Sequence, residues 1–173
     1  MYKRQAITSL IAGIFDDNLE INEKREFWEG QTWTSLPRQL KRLGYRTALW
    51  YGGSLSWASI GLFGRSMGFD KAFGGPDICP AGSPATWLGI YDHIFLEAAF
   101  RNIIAMEDDS PAFHLVYTTS NHGPYTIPIE KYGFQPQSAM KDLPDDMRRD
   151  KALMADLGTY WYCLLYTSDA ADD

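Results

Sequence analysis

Residues 35–53, SLPRQLKRLGYRTALWYGG, restrict the possible folds more than any other stretch of the chain. Ser35 is placed to cap a helix opening with Leu36-Pro37, because proline is tolerated in a first turn. Leu36, Leu40 and Leu43 recur at helical spacing, and Gly44 supplies a left-handed stop. Arg38, Lys41 and Arg42 approach the negative end of that helix, where cations are favoured. Tyr45–Tyr51 then has strand composition and ends in Gly52-Gly53. Helix, glycine turn, strand and glycine loop make half of a βαβ unit, so an α/β layered fold with a mostly parallel sheet flanked by helices is predicted.

A second strand is predicted at 112–118. It ends abruptly in FHLVYTTSNHGPYTIP, residues 113–128, where an apolar run gives way to small polar residues and an Asn-His-Gly-Pro turn. Ligands of open parallel sheets sit beyond the carboxyl ends of the strands. This places His122 where chemistry is usually done.

Helices are predicted over 5–15, 55–66 and 149–162, and another is capped by Asp92 with an apolar face of Ile94, Phe95, Ala98, Ala99, Ile103 and Ile104. Residues 19–33 read as a surface connection, 74–89 as irregular and 129–148 as loop. No repeat or linker divides the chain. With 173 residues, 45% of them hydrophobic and 14% aromatic, the chain can bury one ordinary core. Its formal charge of −6 and lack of a dense Lys/Arg cluster argue against a nucleic-acid partner. Cys79 and Cys163 make neither a C-x-x-C pair nor a zinc set. No apolar run approaches the roughly 20 residues of a membrane helix, and no signal peptide is visible.

His122 leads the chemical candidates. Imidazole can donate to an anionic oxygen or move a proton near neutral pH. Asn121 stands beside it, and Gly123-Pro124 leaves backbone room for a ligand. Trp57, after the Gly52-Gly53 loop, reads either as a core tryptophan or as a stacking wall for a ligand at the same sheet edge. His114 within the strand reads as packing or an edge position, and His93 as surface. Gly52-Gly53 lacks the spacing of nucleotide-binding loops, and there is no G-x-S-x-G elbow or H-E-x-x-H. Cys79-Pro80 fails the C-x-P-x-R spacing of formylglycine sulfatases.

Three blocks in order resemble the lipoteichoic acid synthase and phosphoglycerol transferase branch of the sulfatase, or alkaline phosphatase-like, superfamily. They are TSLPRQLKRLGYRTALWY (34–51), Trp57 through MGFD (67–70), and YTTSNHGPYTIP (117–128). The opening RQAITSLIAGI is similar to the helix that follows the nucleophile in these enzymes. The resemblance implies a metal-dependent transferase, with manganese or magnesium, that acts on phosphate esters of an anionic phospholipid or glycolipid. A metal-activated oxygen nucleophile attacks an anionic ester held by cationic and hydrogen-bonding groups. His122 matches the family histidine that contacts the phosphate-bearing substrate, and Trp57 a tryptophan of the same pocket; Asn121 joins them as a substrate-binding expectation. Ala58, Ser59 and Ile60 follow Trp57 where the family carries an arginine, and the nearest arginine is Arg65. Alternatives are a sulfuric or phosphoric ester hydrolase on the same fold, or an inactive relative that binds an anionic glycolipid.

The resemblance also carries expectations about extent. Residues 1–162 read as a partial sulfatase-like catalytic domain, with the nucleophile expected upstream of Met1 and metal ligands outside the chain, so neither is assigned here and the chain by itself is expected to be inactive. The parent is expected to be anchored by membrane helices, with its catalytic domain outside the cytoplasm. Residues 163–173, CLLYTSDAADD, resemble the translation of a sequencing adapter. They are therefore expected to break the helical pattern and to lack consistent packing.

Overall fold

Strand β1 (Arg46–Tyr51) is the axis of the molecule, and its five residues from Thr47 to Tyr51 are all buried. In the computed structural model, which describes residues 2–16, 19–30, 32–106, 109–133 and 143–168, β1 is flanked by β2 (Lys71–Gly74) and β3 (Ala112–Tyr117). The order is β2-β1-β3, and both pairings are parallel. Alternate residues of a strand face opposite sides, and β1 uses both. Leu49 and Tyr51 join one cluster with Ile11, Ile60, Phe63, Met67 and Phe69. Ala48 and Trp50 join another with Ile90, Phe95 and Ala99. A strand covered on both faces must be apolar throughout, which is why β1 carries no alternation.

Helices supply the covers. On the Leu49 side lie α1 (Tyr2–Ala12), α2 (Arg25–Glu29), α3 (Leu36–Arg42) and α4 (Ile60–Ser66). A short α5 (Gly75–Ile78) follows β2 directly, and α6 (Asp92–Ala105) covers the Trp50 side. After β3 come α7 (Asp145–Arg149) and α8 (Lys151–Ser168). The predicted fold class is therefore the observed one.

Several local expectations need correction. Ser35 precedes α3 as expected, but its hydroxyl donates to the Met67 carbonyl and makes no capping bond. It ties α3 to the end of α4, a long-range partner that no local rule supplies. Gly44 does adopt the left-handed φ of +88° after α3. The helix expected from 55 begins only at Ile60, after a tight turn at Trp57–Ser59. The stretches read as connecting, irregular or loop contain α2, α5 and most of α7, and β2, just before the stretch read as irregular, was not expected. β2 has four residues and half-exposed apolar positions, too little periodicity to be seen in sequence. Asp92 is the first residue of α6, and Tyr91 occupies the cap position.

The helical pattern does not break after Tyr162, because α8 is continuous to Ser168. Cys163 is only 1% exposed and packs with Tyr91, Ile127, Ile129 and Tyr162. The expectation of no packing is thus overturned at Cys163; residues 169–173 lie outside the described residues. His93 is not a surface residue either. Its ring lies 4.3 Å from that of Tyr132, and the Tyr162 hydroxyl bonds to its Nδ1.

Burial holds the His93 imidazole below its ordinary pKa of 6.5, although Asp92 and Glu97 pull the other way. The folded protein therefore binds fewer protons here than the unfolded chain does. Stability from this site is complete above the unfolded pKa and declines as pH falls through the folded one. Thermal melting from pH 7.5 to 5 should show a falling midpoint that is shallower in His93→Gln.

Candidate active-site edge

Parallel β1 and β3 pair from Arg46 opposite Ala112 to Tyr51 opposite Tyr117, so their carboxyl ends emerge level. Gly52-Gly53 leaves one and Thr118–His122 leaves the other. The two exits are bonded to each other and to their neighbours. Gly52 N–H donates to the Tyr117 carbonyl at 2.9 Å, and the Gly52 carbonyl accepts from Ile90 N–H at 3.0 Å. The Gly53 carbonyl accepts from Gly75 N–H at 3.1 Å. Gly53 admits another backbone, since a Cβ there would lie 2.4 Å from the Leu88 carbonyl oxygen. A Cβ on Gly89 would lie 2.6 Å from both the Gly52 carbonyl oxygen and Thr119 Oγ1.

The β3 exit is fixed by a buried carboxylate. Asp92, wholly buried, accepts at Oδ1 from Thr119 N–H at 3.0 Å and Ser120 N–H at 2.9 Å. In return Asp92 N–H donates to Ser120 Oγ at 2.8 Å. A carboxylate in the first turn of a helix is also favoured by the helix dipole. Thr119 adds a bond from its hydroxyl to the Ile90 carbonyl, 3.3 Å. The backbone is therefore fixed up to the residue before Asn121, and Asn121 and His122 project from that anchor.

His122 is half-buried, and its Nδ1 lies 2.8 Å from the Gly123 carbonyl oxygen. A carbonyl can only accept, so Nδ1 carries the proton and Nε2 is left to meet a ligand. The ring beside it belongs to Trp87, edge-on at a centroid distance of 5.3 Å. The Trp87 indole N–H reaches the same Gly123 carbonyl at 3.4 Å. Trp87 is 61% exposed, so it forms an open wall next to the imidazole. Trp87 carries no local signal in the sequence beyond being a large aromatic in a Gly/Pro-rich loop. Asn121 is half-buried in the same loop.

Trp57 follows the other exit. It stacks on Tyr51 at 6.1 Å, and Tyr51 stacks on Tyr117 at 5.2 Å. Trp57 is thus linked to the end of β3 through a tyrosine pair, while His122 has Trp87 for its ring contact. Burial, with Tyr117 beside it, pushes the Tyr51 phenol far above its usual range, so it stays protonated. The backbone after Trp57 is strained. Ala58 and Ser59 hold left-handed φ values of 46° and 54°, a conformation costing L-residues about 1–2 kcal/mol each. Asn22, wholly buried, holds the turn by donating from Nδ2 to the Ala58 carbonyl at 2.5 Å. Strain of this kind gathers at ligand clamps. Arg65 sits in the last turn of α4 and lines a separate groove with Ser54, Ala72 and Asp77 along β2. His114 accepts the Trp50 indole N–H at 3.1 Å and is a packing residue of β3.

Among the described residues no group of three or more His, Cys, Asp or Glu side chains is arranged to hold a metal ion. Nor is any described helix long and apolar enough to cross a membrane.

Residues 5–173 match the family model for sulfatases. The chain belongs to the sulfatase family. A comparison with curated proteins gave no significant match. Among solved structures, this sulfatase-family chain is similar to the lipoteichoic acid synthase LtaP from Listeria monocytogenes, with a TM-score of 0.74 and 19% identity over 96% of this chain. It is also similar to a protein of the alkaline phosphatase superfamily from Vibrio parahaemolyticus, with a TM-score of 0.64 and 24% identity over 90% of this chain. At these identities the likeness establishes the alkaline phosphatase-like fold. The chain spans 38% and 37% of those two proteins.

Proposed function

We propose that the chain is part of the catalytic domain of a metal-dependent phosphoglycerol transferase of the lipoteichoic acid synthase type. Its substrate is a phosphate ester of an anionic phospholipid or glycolipid. The observation that carries the reading is His122 in a sulfatase-family chain, its Nδ1 committed to the Gly123 carbonyl at the carboxyl edge of the sheet. Protonated at Nε2, that imidazole can donate to an ester oxygen and balance its charge. Asn121 lies next to it in the chain, and the exposed Trp87 indole walls the imidazole. Trp57 is a further substrate-side wall at the neighbouring exit, held in place by Asn22.

The metal, manganese or magnesium, belongs to the whole protein in this reading. When bound it would activate the attacking oxygen. The described residues do not fit such a site, so no step is assigned through it. The nucleophile likewise belongs to segments outside this chain. The whole protein is proposed to be held at the outer face of a membrane, where its lipid substrate lies.

The test is glycerophosphate release from phosphatidylglycerol by the whole protein, with and without added manganese. His122→Ala is expected to lower kcat/KM by about ten- to a hundredfold, the worth of one hydrogen bond to a charged group, with an unchanged melting curve. Release unaffected by this substitution removes His122 from the site. Product that appears only as free glycerophosphate, whatever acceptor is supplied, turns the reading to a hydrolase on the same fold.

A further inference from the structure

A second candidate site lies at the opposite end of the sheet. A groove of about 200 Å³ is lined by Thr32, Trp33, Arg38, Lys41, Arg42 and Gly68. α3 ends just before β1 begins, and Asp70 N–H bonds to the Thr47 carbonyl at 3.0 Å. The groove therefore sits at the amino ends of the strands, away from His122 at the carboxyl ends.

Its charges are only partly spent. Lys41 pairs with Asp70 at 2.6 Å. Arg38 Nη2 donates to the Ser66 carbonyl at 2.6 Å, yet its Nε is buried and has no hydrogen-bond partner among the described residues. Arg42 lies over the Trp33 ring with its guanidinium carbon 5.3 Å from the centroid. Trp33 itself is 63% exposed. Three cations thus face one carboxylate around a concave surface with an indole floor. The negative end of α3 accounts for cations at 41 and 42. It does not account for Arg38 one turn earlier, or for an exposed tryptophan held under Arg42.

We infer that this groove binds a phosphate ester, with Arg38 and Arg42 on the phosphate oxygens and Trp33 against the carbon skeleton of the ester. Planar guanidinium groups match oxyanions in a way a point charge does not, and a tryptophan face carries the apolar part of such a ligand. Lys41, already paired, contributes less. The inference is independent of the role given to His122.

The probes are glycerol 3-phosphate and phosphatidylglycerol vesicles in a phosphatidylcholine background. Titration of the 15N-labelled 173-residue chain with glycerol 3-phosphate at low ionic strength should move the Trp33 indole signal, identified by its loss in Trp33→Phe. Saturation of that shift is expected, together with a Kd raised at least about fivefold in Arg42→Gln, roughly one charge-assisted contact. His122→Ala should leave the titration unchanged, which separates this site from the first. Arg42→Gln removes no hydrogen bond among the described residues, only the exposed contact with the Trp33 ring, and should fold normally; Arg38→Gln, which also frees the Ser66 carbonyl, serves as the second variant. A Trp33 signal that does not move with either probe, or an affinity in both arginine variants equal to that of the unsubstituted chain, overturns the proposal. Co-sedimentation with the vesicles that is lost in Arg42→Gln assigns the site to lipid headgroups. Binding of the soluble ester without co-sedimentation assigns it to free esters.

Discussion

Asp92→Ala should lower the free energy of unfolding by about 3–4 kcal/mol, because it strands the two backbone N–H groups of Thr119 and Ser120 in a dry interior. Each buried donor left unpaired costs about 1–3 kcal/mol, and the lost carboxylate volume adds to this. Asp92→Asn keeps an acceptor oxygen in place but gives up its charge, so about 1–2 kcal/mol is expected. Urea unfolding followed by tryptophan fluorescence measures both. A loss below about 1 kcal/mol in the alanine variant would show that the β3 exit has another anchor. The effect should be local first: amide exchange at Thr119 and Ser120 should speed up before that of β1. The loop that carries Asn121 and His122 would then lose its anchor to α6.

Gly89→Ala should cost about 2–3 kcal/mol by overpacking. The added methyl would sit 2.6 Å from the Gly52 carbonyl oxygen, which is itself bonded to Ile90 N–H. The neighbour that must move is backbone, so a rotamer change cannot relieve the contact. Thr119 Oγ1, equally close, is tied to the Ile90 carbonyl. Relief therefore means spreading the β1 exit from the loop before α6. Gly82, with no atom within 4 Å of its would-be Cβ, shares the chain's glycine-rich stretch; it holds a left-handed φ of 80°, so a Gly82→Asn control keeps that conformation at small cost. Comparable losses at both positions would refute the packing argument.

What sequence could show here divides along the range of the interactions. β1, β3 and α6 are visible because their partners impose continuous apolar runs or a helical face, and those are local patterns. His122 is visible because a strand ends just before it. Trp87 is not, since its partnership with His122 spans 35 positions of chain with no pattern linking them. Asp92 looks like a cap because the residue type suits one, but its carboxylate is drawn away by N–H groups 27 and 28 residues later. Ser35 is diverted in the same way by the Met67 carbonyl. β2 escapes because four residues give a period of two almost nothing to repeat. The family resemblance foresaw the sulfatase assignment, which neither composition nor periodicity could supply.

The even pairing of β1 with β3 acts as a ruler for the carboxyl edge of the sheet. Six matched positions bring two segments, more than sixty residues apart, out of the sheet at the same height. Deleting one residue from either strand would drop one lip by about 3.3 Å and turn every following side chain to the opposite face. Evolution can thus lengthen the loops above this edge freely, but it cannot change the length of either strand without dismantling what the loops are there to hold.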